Sequence, residues 1–338
     1  NERSPQVMTD AAEQLYALKD GDQAGRVAMK IIDLKPPATE AQRRVAWTIL
    51  AHTAYERKAY LLAEQAYTRL MELSSPQDAA YKDLAENQLA SLYKLAEQEK
   101  AAGNLKDAAG HFKKVSETAS QPSARANAQF DAASAYIDIK DWANAQPLLE
   151  DFRQRYPKHA LQADVAPKLA LAYGEQGKWS LAANEMERML AAGPKDANLA
   201  KDLMWQVASY REKAGEKPAA ARAYERYLAQ LQAMRPVPLA QTLEVRDKLV
   251  NLARDEGNAK REMALLKEIY EADLKGGAAR TDRTRYLGAH AALVLAEKHD
   301  IALLETQLTL KPLPLFASYL SQPAKPALEE IMSAALLF

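Results

Sequence analysis

The side chains best able to do chemistry near neutral pH are the five histidines, His52, His111, His159, His290 and His299. A metal site needs ligands that return to one face at short spacing, and these five share no such spacing. His290 and His299 are nine residues apart, half a turn off register, so on one helix they point in different directions. The chain has no His-Glu-x-x-His helix, no phosphate-cradling Gly-Lys-Ser/Thr loop and no Gly-x-Ser-x-Gly elbow. Adjacent carboxylates such as Glu329-Glu330 are what any charged helical surface carries. Cysteine is absent, which removes disulfides, thiolate zinc sites and thiol nucleophiles. The expectation is a non-enzymatic protein, with no catalytic residue, no metal and no cofactor.

The 338 residues are 48% hydrophobic, enough to bury a large core. Lys and Arg number 45 and Asp and Glu number 45, a formal balance of zero. Proteins that live on nucleic acid or anionic lipid usually carry a basic excess, so no nucleic-acid partner is expected. No apolar run reaches the length of a membrane span, and the opening Asn-Glu-Arg-Ser-Pro-Gln lacks the charged-then-apolar plan of a signal peptide. No membrane insertion is expected for this stretch. It begins without Met and ends inside an apolar pattern, Ala334 to Phe338, and so reads as a piece of a longer protein.

The chain that must position any site repeats itself. Between Asn127 and Pro194, Ala133 pairs with Ala170, Tyr136 with Tyr173, Trp142 with Trp179, Ala145 with Ala182, and Pro157 with Pro194, all at an offset of thirty-seven. Alanines at 24, 63, 108, 145, 182 and 220 mark the same place in six successive units. Apolar residues at i, i+3, i+4 and i+7 predict a helix in each half of a unit. Glycine or a Lys-Asp pair is expected at the turn and proline at the close of the second helix. A weaker seventh unit carries Leu249, Val250, Gly257, Leu266 and Ile269. Alanine in both helices (Ala51, Ala96, Ala133, Ala170 and Ala208 in the first) lets them approach closely. Tyr136, Trp142, Tyr173 and Trp179 recur at repeat positions and are assigned to packing rather than to a ligand box.

This order of small residue, Tyr, Gly-x-Trp, Ala, large apolar residue and Pro resembles the tetratricopeptide repeat over roughly residues 10 to 270. The resemblance implies an all-α fold, a right-handed α-solenoid of about seven helix-turn-helix repeats followed by irregular C-terminal helices. Two regions are expected: 1–235, a solenoid of about six repeats, and 236–338, divergent helical repeats continuous with it. Past Leu231, the segments Arg235–Pro238 and Lys275–Ala279 read as loops and Tyr286 to His299 as a helix. Farther on, Leu313 to Leu320 is a short apolar segment, and a last helix begins near Ala327. Phe152-Arg153-Gln154-Arg155-Tyr156-Pro157 is similar to a variant found in bacterial envelope proteins, which implies a periplasmic or envelope-associated location, with the cytoplasm as the alternative.

In such a solenoid the first helices line the binding face. Projecting the central repeats onto the chain selects Tyr93, Lys94 and Glu97; Asn127, Phe130, Asp131 and Ser134; and Asp164, Lys168 and Leu171. Later units add Trp205, Gln206, Ser209, Lys248, Asn251 and Arg254. Tyr93, Phe130 and Trp205 are the candidate anchors, because aromatic residues on a polar face typically carry interface energy; the competing reading packs them between helices. The carboxylate clamp of some family members does not carry over, since Lys168, Asn251 and Arg254 are not at matching positions and Asp131 and Asp164 intervene. Arg280, Arg283 and Arg285 read as a solvated loop, with contact to an acidic partner as the alternative. The expected function is a scaffold that holds a protein or peptide partner in this groove, in envelope assembly. The rivals are the helical superhelix of a larger enzyme, such as a cell-wall lytic enzyme, and a self-assembly module that makes a homo-oligomer.

Overall fold

The computed structural model describes residues 4–310, and among these it contains fifteen α-helices, two short 3-10 turns and no strand. Contacts divide the chain into two units, Asn1–Lys178 and Trp179–Phe338. The first holds α1 (Pro5–Ala17), α2 (Gly21–Ile32), α3 (Glu40–Glu56), α4 (Tyr60–Glu72), α5 (Tyr81–Ala101), α6 (Leu105–Thr118), α7 (Pro122–Asp138), α8 (Trp142–Arg155) and α9 (Val165–Glu175). The second holds α10 (Trp179–Ala191), α11 (Ala197–Lys213), α12 (Lys217–Ala233), α13 (Leu239–Asp255), α14 (Ala259–Leu274) and α15 (Asp282–Leu310). Within each unit every helix packs on the next in sequence, as stacked hairpins must. The segments Leu313 to Leu320 and Ala327 onward lie outside the described residues, as does Glu329-Glu330.

Seven first helices, α1, α3, α5, α7, α9, α11 and α13, end in the same way. The residue that leaves the helix is left-handed: Lys19, Lys58, Gly103, Lys140, Gly177, Gly215 and Gly257 have φ between 59° and 85°. Its N–H donates three residues back, and the next N–H donates five back, as Lys140 does to Ile137 (2.9 Å) and Asp141 to Tyr136 (2.8 Å). These are the two bonds of a Schellman cap, which satisfy carbonyls that a helix end leaves open. Asp20, Asp141 and Asn258 then cap the second helix, each accepting a backbone N–H three residues on. Seven repeats are therefore set by local backbone chemistry as well as by packing. The α13–α14 turn is as regular as the others, and Gly277–Ala279 forms a 3-10 turn where a loop is expected. Among the marker prolines, Pro122 behaves differently from expectation. It opens α7 at its first position, where a missing N–H costs nothing, rather than closing the helix before.

The marker alanines are buried between the helices, where a small side chain permits close approach. Ala24, Ala63, Ala108, Ala145, Ala182 and Ala220 are fully buried, as are Ala51, Ala96, Ala133 and Ala208. Around them stand the larger apolar groups, among them Phe112, Leu149 and Phe152 in the first unit and Tyr224, Leu249 and Leu266 in the second.

Three substitutions test the buried alanines and the left-handed corners. Ala145→Leu should lower the stability of the first unit by about 1–3 kcal/mol in urea denaturation, the usual effect of overpacking. Lys140→Gly should raise stability by about 0.5–1 kcal/mol, because a left-handed lysine is strained. Gly215→Ala should lower it by a similar amount, although nothing lies within 4 Å of the added Cβ.

Candidate functional site

The α3, α5 and α7 helices, the first helices of three successive hairpins, enclose a groove of about 440 Å³ together with Val115 of α6 and the Ala119, Ser120 and Gln121 loop that follows it. Its apolar wall is built from Tyr55, Leu89, Ala90 and Tyr93, and its polar rim from Glu86, Asn87, Lys94 and Asn127. Asn87, Ala90 and Lys94 lie at i, i+3 and i+7, one stripe of α5. The short side chains of Ala90 and Ala124 keep the groove open.

Tyr93 is held rigidly. Its ring meets Phe112 edge-on at 5.1 Å, and its hydroxyl donates to Asp131 Oδ2 at 2.5 Å. Burial, and then the hydrogen bond and charge of Asp131, push the phenol well above its ordinary range, so it remains a donor. Tyr55 is braced edge-on by Tyr60, with ring centroids 5.5 Å apart. Glu86 accepts from Ser120 Oγ at 2.7 Å and ties the loop after α6 to α5. The carboxamides of Asn87 and Asn127 are exposed and have no hydrogen-bond partner among the described residues. Each offers a donor and an acceptor, the pair of functions that a peptide backbone presents.

Tyr93, Lys94 and Asn127 thus come together in one groove, with Lys94 paired to Glu97 at 2.7 Å on its rim. Asp131 stands behind Tyr93 as its acceptor. One of the three anchors expected on the binding face, Phe130, is core instead. Phe130 is only 7% exposed, its ring 5.5 Å from Phe152, and Ser134 is buried with its hydroxyl on the Phe130 carbonyl. Their side of α7 faces α8, because α8 supplies the large Phe152 that must be covered. Lys168 lies over the Phe130 ring at 5.4 Å, Asp164 ends an exposed 3-10 turn, and Leu171 is exposed.

In the second unit Trp205 is half-buried and packs on Tyr224 and Tyr227, with ring centroids at 5.5 and 6.0 Å. Lys248 pairs with Glu212 at 3.2 Å. Arg254 pairs with Glu262 at 2.8 Å; burial alone would raise that carboxyl, but the bonds from Lys298 and Arg254 outweigh it and hold it low. Gln206 and Asn251 are exposed and Ser209 is half-buried. Of the arginines read as a solvated loop, Arg280 grips the buried Asp273 through two bonds at 3.0 and 2.6 Å, whereas Arg283, which holds Glu244, and Arg285, which reaches Asp282, are exposed. Sequence reading missed Tyr55, Glu86 and Asn87; the stripe through Lys94 would have found Asn87.

Each described histidine side chain has a local role. His52 Nδ1 lies 3.0 Å from the Tyr16 hydroxyl, His111 bonds Glu99, His159 accepts from the Leu161 N–H, and His290 stacks on Tyr286. Among the described residues no three His, Cys, Asp or Glu side chains gather as metal ligands would, and no helix is long and apolar enough to cross a membrane.

The hairpins are tetratricopeptide-like, as the sequence resemblance implies. No family model and no curated protein matches the chain. Among solved structures it is similar to the C-terminal part of a TPR repeat-containing protein from Cytophaga hutchinsonii, with 14% identity, 80% of this chain and 97% of that one covered, and a TM-score of 0.38. A tetratricopeptide repeat protein from Parabacteroides merdae ATCC 43184 shows 13% identity over 86% and 98%, with a TM-score of 0.32. MamA from AMB-1 shows 16% over 56% and 93%, with a TM-score of 0.37. At these scores the description of the fold stands on the helices, caps and alanine contacts of this chain.

His52 gives a pH test of the first unit. Burial lowers its pKa below 6.5, with Glu56 opposing. The folded state therefore favours neutral imidazole, a contribution complete above pH 6.5 and lost as pH falls through the lowered value. Thermal melts should show stability falling as the pH drops below the ordinary imidazole range of about 6.5, and His52→Phe should flatten that slope.

Proposed function

We propose that the chain is a non-enzymatic interaction scaffold that holds an extended peptide segment of a partner protein in the groove of α3, α5 and α7. The observation that carries this reading is the pair of unpartnered carboxamides, Asn87 and Asn127, flanking a wall of Tyr55, Leu89 and Tyr93. An extended backbone supplies donors and acceptors to both amides, and one apolar side chain of the segment covers the tyrosines. Lys94 and Glu86 at the rim add selection by charge more than affinity. Tyr93 presents its ring while its hydroxyl stays on Asp131. The same reading places the protein in the bacterial envelope, supported by the likeness of Phe152 to Pro157 to envelope repeat proteins.

A photo-crosslinking residue introduced at the exposed Ala90 in the host should trap a partner through a short stretch of its chain. Combining it with Asn87→Ala and Asn127→Ala should cut the yield about tenfold or more, the scale of losing interface anchors, without changing the melting temperature. Equal yield from a crosslinker at Lys114, or no loss in the double variant, refutes the groove. Recovery of the protein from the cytosol alone on fractionating host cells refutes the envelope placement.

A further inference from the structure

The second unit carries an exposed aromatic residue that the groove reading does not use. Tyr286, near the start of α15, is 59% exposed, and its ring has two neighbours on its own helix. The Arg283 guanidinium lies over it at 5.4 Å, and His290 stacks parallel to it at 6.1 Å with 9° between the planes. Residues three and four apart share a helix face, so Arg283, Tyr286 and His290 form one column. Leu293, seven residues beyond Tyr286 and 49% exposed, extends the same stripe. An exposed aromatic beside a guanidinium and an exposed leucine has the composition of an interface anchor.

Helix α13 packs against α15 and sets the charge of this face. Arg283 is engaged by Glu244 and Lys248 by Glu212, and Glu212 also accepts from the Tyr224 hydroxyl at 2.7 Å. That leaves Asp247. It is half-buried, close enough to feel Arg283, Glu244, His290 and Lys248, and makes no hydrogen bond or ion pair among the described residues. Whichever carboxylate Arg283 chooses, one acid remains unmatched. Burial pushes the Asp247 carboxyl up, with Arg283, His290 and Lys248 opposing and Glu244 adding to the rise; a half-buried carboxylate without an ion pair of its own gains from an arriving cation.

We propose that this α13–α15 face docks a partner segment bearing a basic side chain, its cation on the Asp247 carboxylate and an adjoining apolar side chain across Tyr286 and Leu293. The site lies wholly within the second unit and is independent of the α3–α5–α7 groove. Arg283 and His290 are positioning residues that hold the Tyr286 ring.

The test presents the full chain with an array of peptides that pair one Arg or Lys with one Leu or Phe at successive spacings in a Gly/Ser background. Matched arrays carry Glu or citrulline in the basic position. Binding should concentrate on the basic members. It should fall about tenfold or more in Tyr286→Ala, the loss expected for an anchor, and similarly in Asp247→Asn, while Asp247→Glu retains part of it and circular dichroism melts stay unchanged. The Asn87→Ala, Asn127→Ala double variant should bind these peptides normally, which separates failure of this site from failure of the groove. Equal binding to the Glu or citrulline arrays, no bound member, or undiminished binding by a folded Tyr286→Ala protein overturns the proposal. Should Asp247→Asn not fold, the Tyr286→Ala and citrulline arms decide it.

Discussion

The close approach of helices at fully buried alanines is the constraint on which the rest depends. Where Ala96 and Ala108 share one core cluster in the α5–α6 hairpin, small side chains let the helices approach closely. Larger groups are displaced to either side of that crossing. On one side Phe112, Leu149 and Phe152 make the core; on the other, the first helices present what is left to solvent. The groove exists because α5 and α7 carry Ala90 and Ala124 where a larger residue would fill it.

This constraint was legible in the sequence because it is local and repeated. Alanines at one place in six units, and glycine or lysine at each turn, report a hairpin without any knowledge of its neighbours. The fate of the aromatic residues was less legible. Phe130 and Tyr93 are both large residues on first helices, and only the facing helix distinguishes them. Phe152 on α8 claims Phe130 for the core, whereas Tyr93 keeps its ring at the groove because Asp131 offers its hydroxyl a partner. Trp205 was drawn into packing by two tyrosines of α12. The carboxamide of Asn87 escaped notice because exposure of a polar side chain is ordinary. It gains meaning only when Asn127 is brought onto the same groove.

Charge behaves similarly. A net balance of zero conceals a pattern in which several arginines sit on carboxylates of neighbouring helices. Arg211 reaches Glu187 and Glu216, and Arg280 and Arg254 each neutralise a buried acid. Salt bridges of this partly buried kind give specificity of pairing more than net stability. They make an unmatched group such as Asp247 conspicuous in the fold although it is anonymous in the sequence.

The left-handed turns also bear on how such a chain can change length. At Gly103, Gly215 and Gly257 nothing stands within 4 Å of a Cβ position, so these corners answer to backbone chemistry alone and to no neighbour. The marker alanines are 37 to 45 residues apart, and the longest interval is taken up by the segment before α5 and by the 21 residues of α5 itself, away from the crossing. Residues can be gained or lost at corners and helix tips while the spacing between helices is preserved. A repeat array built this way can diverge in outline through small insertions, with its interior left untouched.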